Sequence, residues 1–228
     1  MRNRGSHGSL AHVASFEEMT SYFGDDDFRR TALELDEPQL TDYDLFTDTR
    51  GIKIYRHCKE SGLYEYKTYG VLNEIDPLTM IQVYCDYTYR SKWDSYVVEL
   101  KELTDAALER GSAIYWCVKY PFPLTNRDYV FMRETREISS EKGGHVTHVS
   151  LSKDMSLDAY PPKSKYVRVD DFYQAVAVRK HELGTEVFMH YYDNPKGMIP
   201  KWIINWVVKT AAPSWLKTLE DACKKYKT

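Results

Sequence analysis

A chain of 228 residues with a net charge of −3 is long enough for one large domain with a real core, and it has no basic excess to hold nucleic acid or an anionic membrane. No stretch of about 18 apolar residues exists, which excludes a membrane-spanning helix. Cys58, Cys85, Cys117 and Cys223 are scattered without a C-x-x-C pair. That pattern predicts reduced thiols, no zinc site and no disulfide framework. With no signal peptide in view, it also predicts a cytoplasmic home. Aromatic residues make up 14% of the chain, with 19 Tyr and 5 Trp. Such a fraction fits a β-rich core and equally a ligand pocket lined with rings.

In chain order, residues 1–15 are basic and rich in small residues, and read as a flexible tail or a vector remnant. Residues 16–228 read as one domain. An acidic helical region covers 16–37, interrupted at Gly24 and ended by Pro38. Strand patterns follow over 43–57 and 63–72, with a turn at Ser61-Gly62. Asp76-Pro77 opens a short helix over 77–85, and a second helical piece holds YRSKWD. Strand patterns return over 97–103, 112–120, 127–135, 145–151, 165–179 and 185–193. The spacing predicts one long helix over 199–227, kinked at Pro213, which has no N–H for the Lys209 carbonyl. Strands in runs, bracketed by helices, predict an α+β fold with an antiparallel sheet. A helix on the concave face of such a sheet leaves room for a ligand.

No phosphate-binding glycine loop and no nucleophile elbow is present. The run HELGTE lacks the second histidine of a zinc protease. His145 and His148, three apart on a strand, point to opposite faces and do not share a metal. No catalytic residue, metal or cofactor is expected.

Three stretches read as a pocket. Arg90 and Asp94 are spaced i,i+4 and can pair on one helical turn. They form either a weak surface ion pair or a buried pair in which Asp94 aims the guanidinium fork at an anion. Along 113–120, alternation puts Ile114, Trp116, Val118 and Tyr120 on one face. Along 166–179, Phe172, Gln174, Val176 and Val178 share a face. Tyr129 begins the strand after Asn126-Arg127-Asp128. These faces make an aromatic core or, where they converge, an apolar chamber with a few polar groups.

The stretches GLYEYKTYGVL (62–72), YRSKWDSYV (89–97), YWCVKYPFPLTNRDYVF (115–131), YDNPKGMIPKWIINW (192–206) and the terminal WLKTLEDACKKY resemble the START family of lipid-binding domains, over roughly residues 40–227. Within it the likeness is strongest to the phosphatidylcholine-binding members. The resemblance implies a helix-grip fold: a curved antiparallel sheet wrapped around the C-terminal helix, with an internal lipid tunnel. It implies a phosphate held by Arg90 with Asp94, and choline caged by Trp116, Tyr129 and Phe172. It also implies that Tyr84, Val118 and Gln174 line the tunnel. Phe172 stands where those members have Tyr, so a ring face is kept and a hydroxyl is lost, which bears on headgroup selectivity.

The implied ligand is one phospholipid, phosphatidylcholine, carried between membranes by a peripheral, transiently bound protein. Trp202, Trp206, Trp215, Phe122 and Leu124 are the expected membrane contacts. Another phospholipid, a ceramide, or a lipid-dependent adaptor role stay open as alternatives. A sterol would leave Arg90 without a headgroup, and an acyl-thioester hydrolase would need a site the sequence does not offer.

Overall fold

The computed structural model describes residues 22–104, 111–139, 144–197 and 199–226. Helix α1 spans Asp25–Leu33, β1 Asp44–Thr49, β2 Ile52–Cys58 and β3 Tyr64–Asn73. Helices α2 (Pro77–Cys85) and α3 (Tyr87–Trp93) follow, then β4 Val97–Glu102, β5 Ser112–Val118, β6 Arg127–Ser139 and β7 Val146–Asp154. The chain closes with β8 Val167–Val169, β9 Phe172–His181, β10 Gly184–Asp193, α4 Lys201–Trp206, a π-helical turn Val207–Ala211, and α5 Ala212–Lys225.

Four expected boundaries are corrected. The strand expected over 43–57 is a hairpin, β1 and β2. Arg50 and Gly51, at φ 54° and 77°, form its two-residue turn, and the glycine takes the left-handed geometry at little cost. The strand expected over 165–179 is also two. The amide of Phe172 donates to Asp154 Oδ1 at 3.0 Å, and the Asp171 carbonyl accepts from Asn194, so backbone groups there leave the ladder. The part of the first helix before residue 22 lies outside the described residues, and Gly24 caps α1 instead of interrupting it. The final helix does not simply kink at Pro213. It widens one turn earlier, where the Ala212 N–H reaches back five residues to the Val207 carbonyl.

Local chemistry fixes α2 and α3. Asp76 accepts from the Thr79 amide and Pro77 fills the first turn, where no N–H is needed. Asp86 then ends α2 and caps α3 through the Tyr89 amide at 2.8 Å.

The strands form one sheet in the order β1-β2-β3-β10-β9-β7-β6-β5-β4, each neighbour pair antiparallel, with β8 parallel to β6. Alternation sends Tyr173, Ala175 and Ala177 of β9 to the outer face, against Phe28 of α1 and Phe23 just before it. It sends Val176 and Val178 to the inner face, against Tyr84 of α2 and Leu216, Leu219 and Cys223 of α5. That inner cluster fills one end of the grip. The other end, under α4 and the π-helical turn, is hollow.

Candidate binding site

The hollow encloses about 430 Å³. It runs from Phe46 of β1 and Ile54 of β2 to Trp116 and Val118 of β5. Strands far apart in the sheet order therefore face one space, which requires the sheet to curl. Ile203, Trp206 and Val207 roof it, and Trp215 closes it toward the filled end. The walls are mainly apolar and aromatic, as expected for a small-molecule site.

Two of its polar groups come from α3 and its C-terminal cap. Arg90 and Asp94 are 6% and 4% exposed, so their ion pair is buried. Arg90 Nε donates to Asp94 Oδ2 at 3.1 Å, and the same oxygen accepts from Trp215 Nε1 at 3.0 Å. The Tyr96 amide donates to Asp94 Oδ1 at 3.1 Å. Asp94 thus accepts three hydrogen bonds, whereas among the described residues the guanidinium meets a carboxylate through Nε alone. Its carbon sits 5.1 Å from the Tyr84 ring centroid and 5.3 Å from that of Trp116. With Trp93 and Trp215 at 6.0 and 5.8 Å, four rings surround the fork while its terminal amines remain available to an anion. The indole Nε1 of Trp116 is buried in the wall and has no hydrogen-bond partner among the described residues.

A lone ionic ligand would not fill this space, but a headgroup on an apolar body would. Gln174 sits opposite Tyr191 and Ser152 in the ladders, which brings it beside Tyr84 and Arg133. Tyr84 Oη donates to Gln174 Oε1, and Arg133 Nη2 donates to the same oxygen at 3.3 Å. Arg133 Nε donates to Ser152 Oγ at 2.9 Å.

The expected site residues fall as follows. Tyr84, Arg90, Asp94, Trp116, Val118 and Gln174 line the hollow. Tyr129 and Phe172 are 2% and 1% exposed and lie behind the wall. Trp116 pairs with Tyr129 across β5 and β6, their rings 5.1 Å apart, and Tyr129 meets Phe172 edge-on at 5.4 Å. Three rings are therefore contiguous, with Trp116 the one that reaches the surface of the hollow. Of the expected membrane contacts, Phe122 is 93% exposed and Trp202 43%, and Leu124 is half-buried. Trp206 and Trp215 line the hollow instead, Trp206 beside Ile203 on α4 and Trp215 from the first turn of α5.

The START domain model matches residues 47–228. The chain belongs to the START domain family. The phosphatidylcholine transfer protein of Rattus norvegicus is 43% identical over 210 residues, covering 90% of this chain and 96% of that protein. The Homo sapiens protein of the same name is 40% identical over 208 residues, covering 90% and 95%. The crystal structure of human STARD10 superposes with a TM-score of 0.72 over 90% of this chain and 82% of that one, at 24% identity, a likeness of fold. The START helix-grip architecture is thus shared: curled antiparallel sheet, C-terminal helix, hollow between.

Sequence reasoning missed one wall of this START site. Met189, Tyr191 and Asp193 alternate along β10 and all line the hollow. Period-two reading of 185–193 would have found them. Asp193 Oδ2 accepts from Tyr129 Oη at 2.7 Å and Tyr191 Oη at 2.9 Å. Burial raises the Asp193 carboxyl above the ordinary aspartate value, against the two tyrosine hydrogen bonds that favour its charged form. Arg133, buried over Tyr84 at 4.9 Å, was missed too, since a single arginine in a strand gives no periodic signal.

Proposed function

We propose that this protein holds one phospholipid, phosphatidylcholine, in its hollow and moves it between membranes without chemistry. The observation that carries the reading is Arg90: a buried guanidinium with an open fork, over tryptophan and tyrosine faces, in an otherwise greasy space. Burying a phosphate needs a paired cation, and Arg90 supplies one. Choline offers no N–H donor, so ring faces and charge have to recognise it. Acyl chains would add about 0.8 kcal/mol per buried methylene.

The mechanism follows from where the exposed apolar groups sit. Phe122 and Trp202 meet the bilayer interface. α4 and the π-helical turn roof the hollow, so they swing outward to admit a lipid. Trp206, on the moving α4, then reaches the interface, beside Leu124 of the Phe122 loop. Residues 16–228 act as one lipid-binding domain with residues 1–15 outside it. The protein works in the cytoplasm, touches membranes transiently, and needs no nucleic acid, metal or cofactor.

Native mass spectrometry after incubation with vesicles of phosphatidylcholine, another phospholipid and ceramide reads the headgroup and the stoichiometry together. Phosphatidylcholine at one per chain is expected. Vesicle-to-vesicle transfer by Arg90→Ala and by a variant lacking the C-terminal helix should be lost, and full transfer by both would refute the scheme.

A further inference from the structure

We infer that Asp193 is the fixed counter-charge that selects a cationic headgroup at the end of the ligand away from Arg90. The inference rests on the carrier reading above and assigns a specificity residue within it.

Asp193 ends β10 opposite Phe172 of β9, at the aromatic side of the hollow. Its carboxylate makes no ion pair among the described residues. Two tyrosine hydroxyls, from Tyr129 on β6 and Tyr191 on β10, hold Oδ2 in place. The guanidinium that acts on it belongs to Arg127, which makes no ion pair with Asp193 and donates instead to the carbonyls of Thr125, Pro195 and Lys196. A half-buried carboxylate with no ion pair among the described residues is expensive to keep charged. A ligand cation removes the expense.

The arrangement mirrors Arg90. Arg90 lies over one face of Trp116, Trp116 meets Tyr129, and the Tyr129 hydroxyl binds Asp193. A positive group thus stands on one side of a ring pair and a negative group on the other. A zwitterion whose phosphate meets Arg90 points its ammonium along those rings toward Asp193. Ring quadrupoles alone favour any cation modestly. A full charge also acts against headgroups that carry none or carry a hydroxyl, because an anionic lipid then leaves the carboxylate unpaired.

The test uses full-length protein and vesicles of equimolar phosphatidylcholine and phosphatidylglycerol, with bound lipid read by native mass spectrometry. Asp193→Asn keeps shape and hydrogen-bond capacity but removes the charge. The phosphatidylcholine-to-phosphatidylglycerol ratio should fall about tenfold, equivalent to about 1.4 kcal/mol. A ratio within twofold of the unaltered protein overturns the inference.

A second measurement needs no variant. The unaltered protein should lose its preference as pH falls from neutral toward the ordinary aspartate value of 3.8, because Asp193 becomes neutral. The groups facing that carboxyl are Tyr66, Tyr120, Arg127, Tyr129, Asp171, Tyr191 and Tyr192; the tyrosines, all raised by burial, stay protonated over this range. A flat ratio across that range overturns the inference. Protein that loads no phospholipid at all overturns the carrier reading with it, whereas phosphatidylcholine loading with an unchanged variant ratio overturns this inference alone.

Discussion

Replacing Arg90 with methionine separates what the buried ion pair does for stability from what it does for the ligand. Arg90 and Asp94 are both almost fully enclosed, so the variant leaves a carboxylate inside the protein without its cation. Breaking such a pair costs about 3–5 kcal/mol. Asp94 keeps the Trp215 indole and the Tyr96 amide, which places this case at the lower end, about 3 kcal/mol. For a chain of this size that corresponds to a fall in Tm of about 6–12 °C. Adding Asp94→Asn removes the stranded charge and should restore about half of the lost stability. Neither variant should load phosphatidylcholine, since the phosphate has lost its partner in both. Thermal melts give the first quantity and native mass spectrometry the second. A double variant as unstable as the single one, or one that loads lipid like the unaltered protein, would refute the reasoning.

Trp215→Phe keeps a ring over Arg90 but removes the indole donor to Asp94; a hydrogen bond to a charged group contributes about 1.5–3 kcal/mol, so denaturant midpoints should fall accordingly while m stays constant. Phe122→Ser removes a side chain that packs on nothing, so stability and lipid content should hold while vesicle-to-vesicle transfer slows several-fold. On the outer face of the sheet, burial holds His190 below its ordinary imidazole pKa, so the unfolded chain binds the proton first. The resulting stability is complete above about pH 6.5 and is lost as pH falls through and below that value toward the folded pKa. His190→Gln should flatten the slope of unfolding free energy between pH 7 and 5, and an unchanged slope would sink this assignment.

Much of this was legible in the residues. Asp76-Pro77 marked α2 because a capping carboxylate and a ring that lacks an N–H belong at a helix start. Arg90 and Asp94 were readable as a pair from their spacing, but the spacing left open whether they were buried. That depends on Trp215, 121 positions beyond Asp94 in the sequence, which no local pattern connects to it. The hairpin at Arg50-Gly51 was overlooked because arginine seldom takes a positive φ, and the apolar alternation runs on without a visible break. The placement of Tyr129 and Phe172 behind Trp116 depends on strand register and sheet curl, which only the assembled sheet decides.

The five-residue reach of the Ala212 amide has a consequence for phase. Ile203, Trp206 and Val207 lie on one stripe of the last helix, and Trp215, Leu216, Leu219 and Cys223 lie on another, offset around the axis if every turn held 3.6 residues. A regular helix could aim only one of those stripes at the sheet. The wide turn spends extra residues without advancing the rotation and brings the two stripes back toward one side, so that the same rod roofs the empty end and plugs the full one.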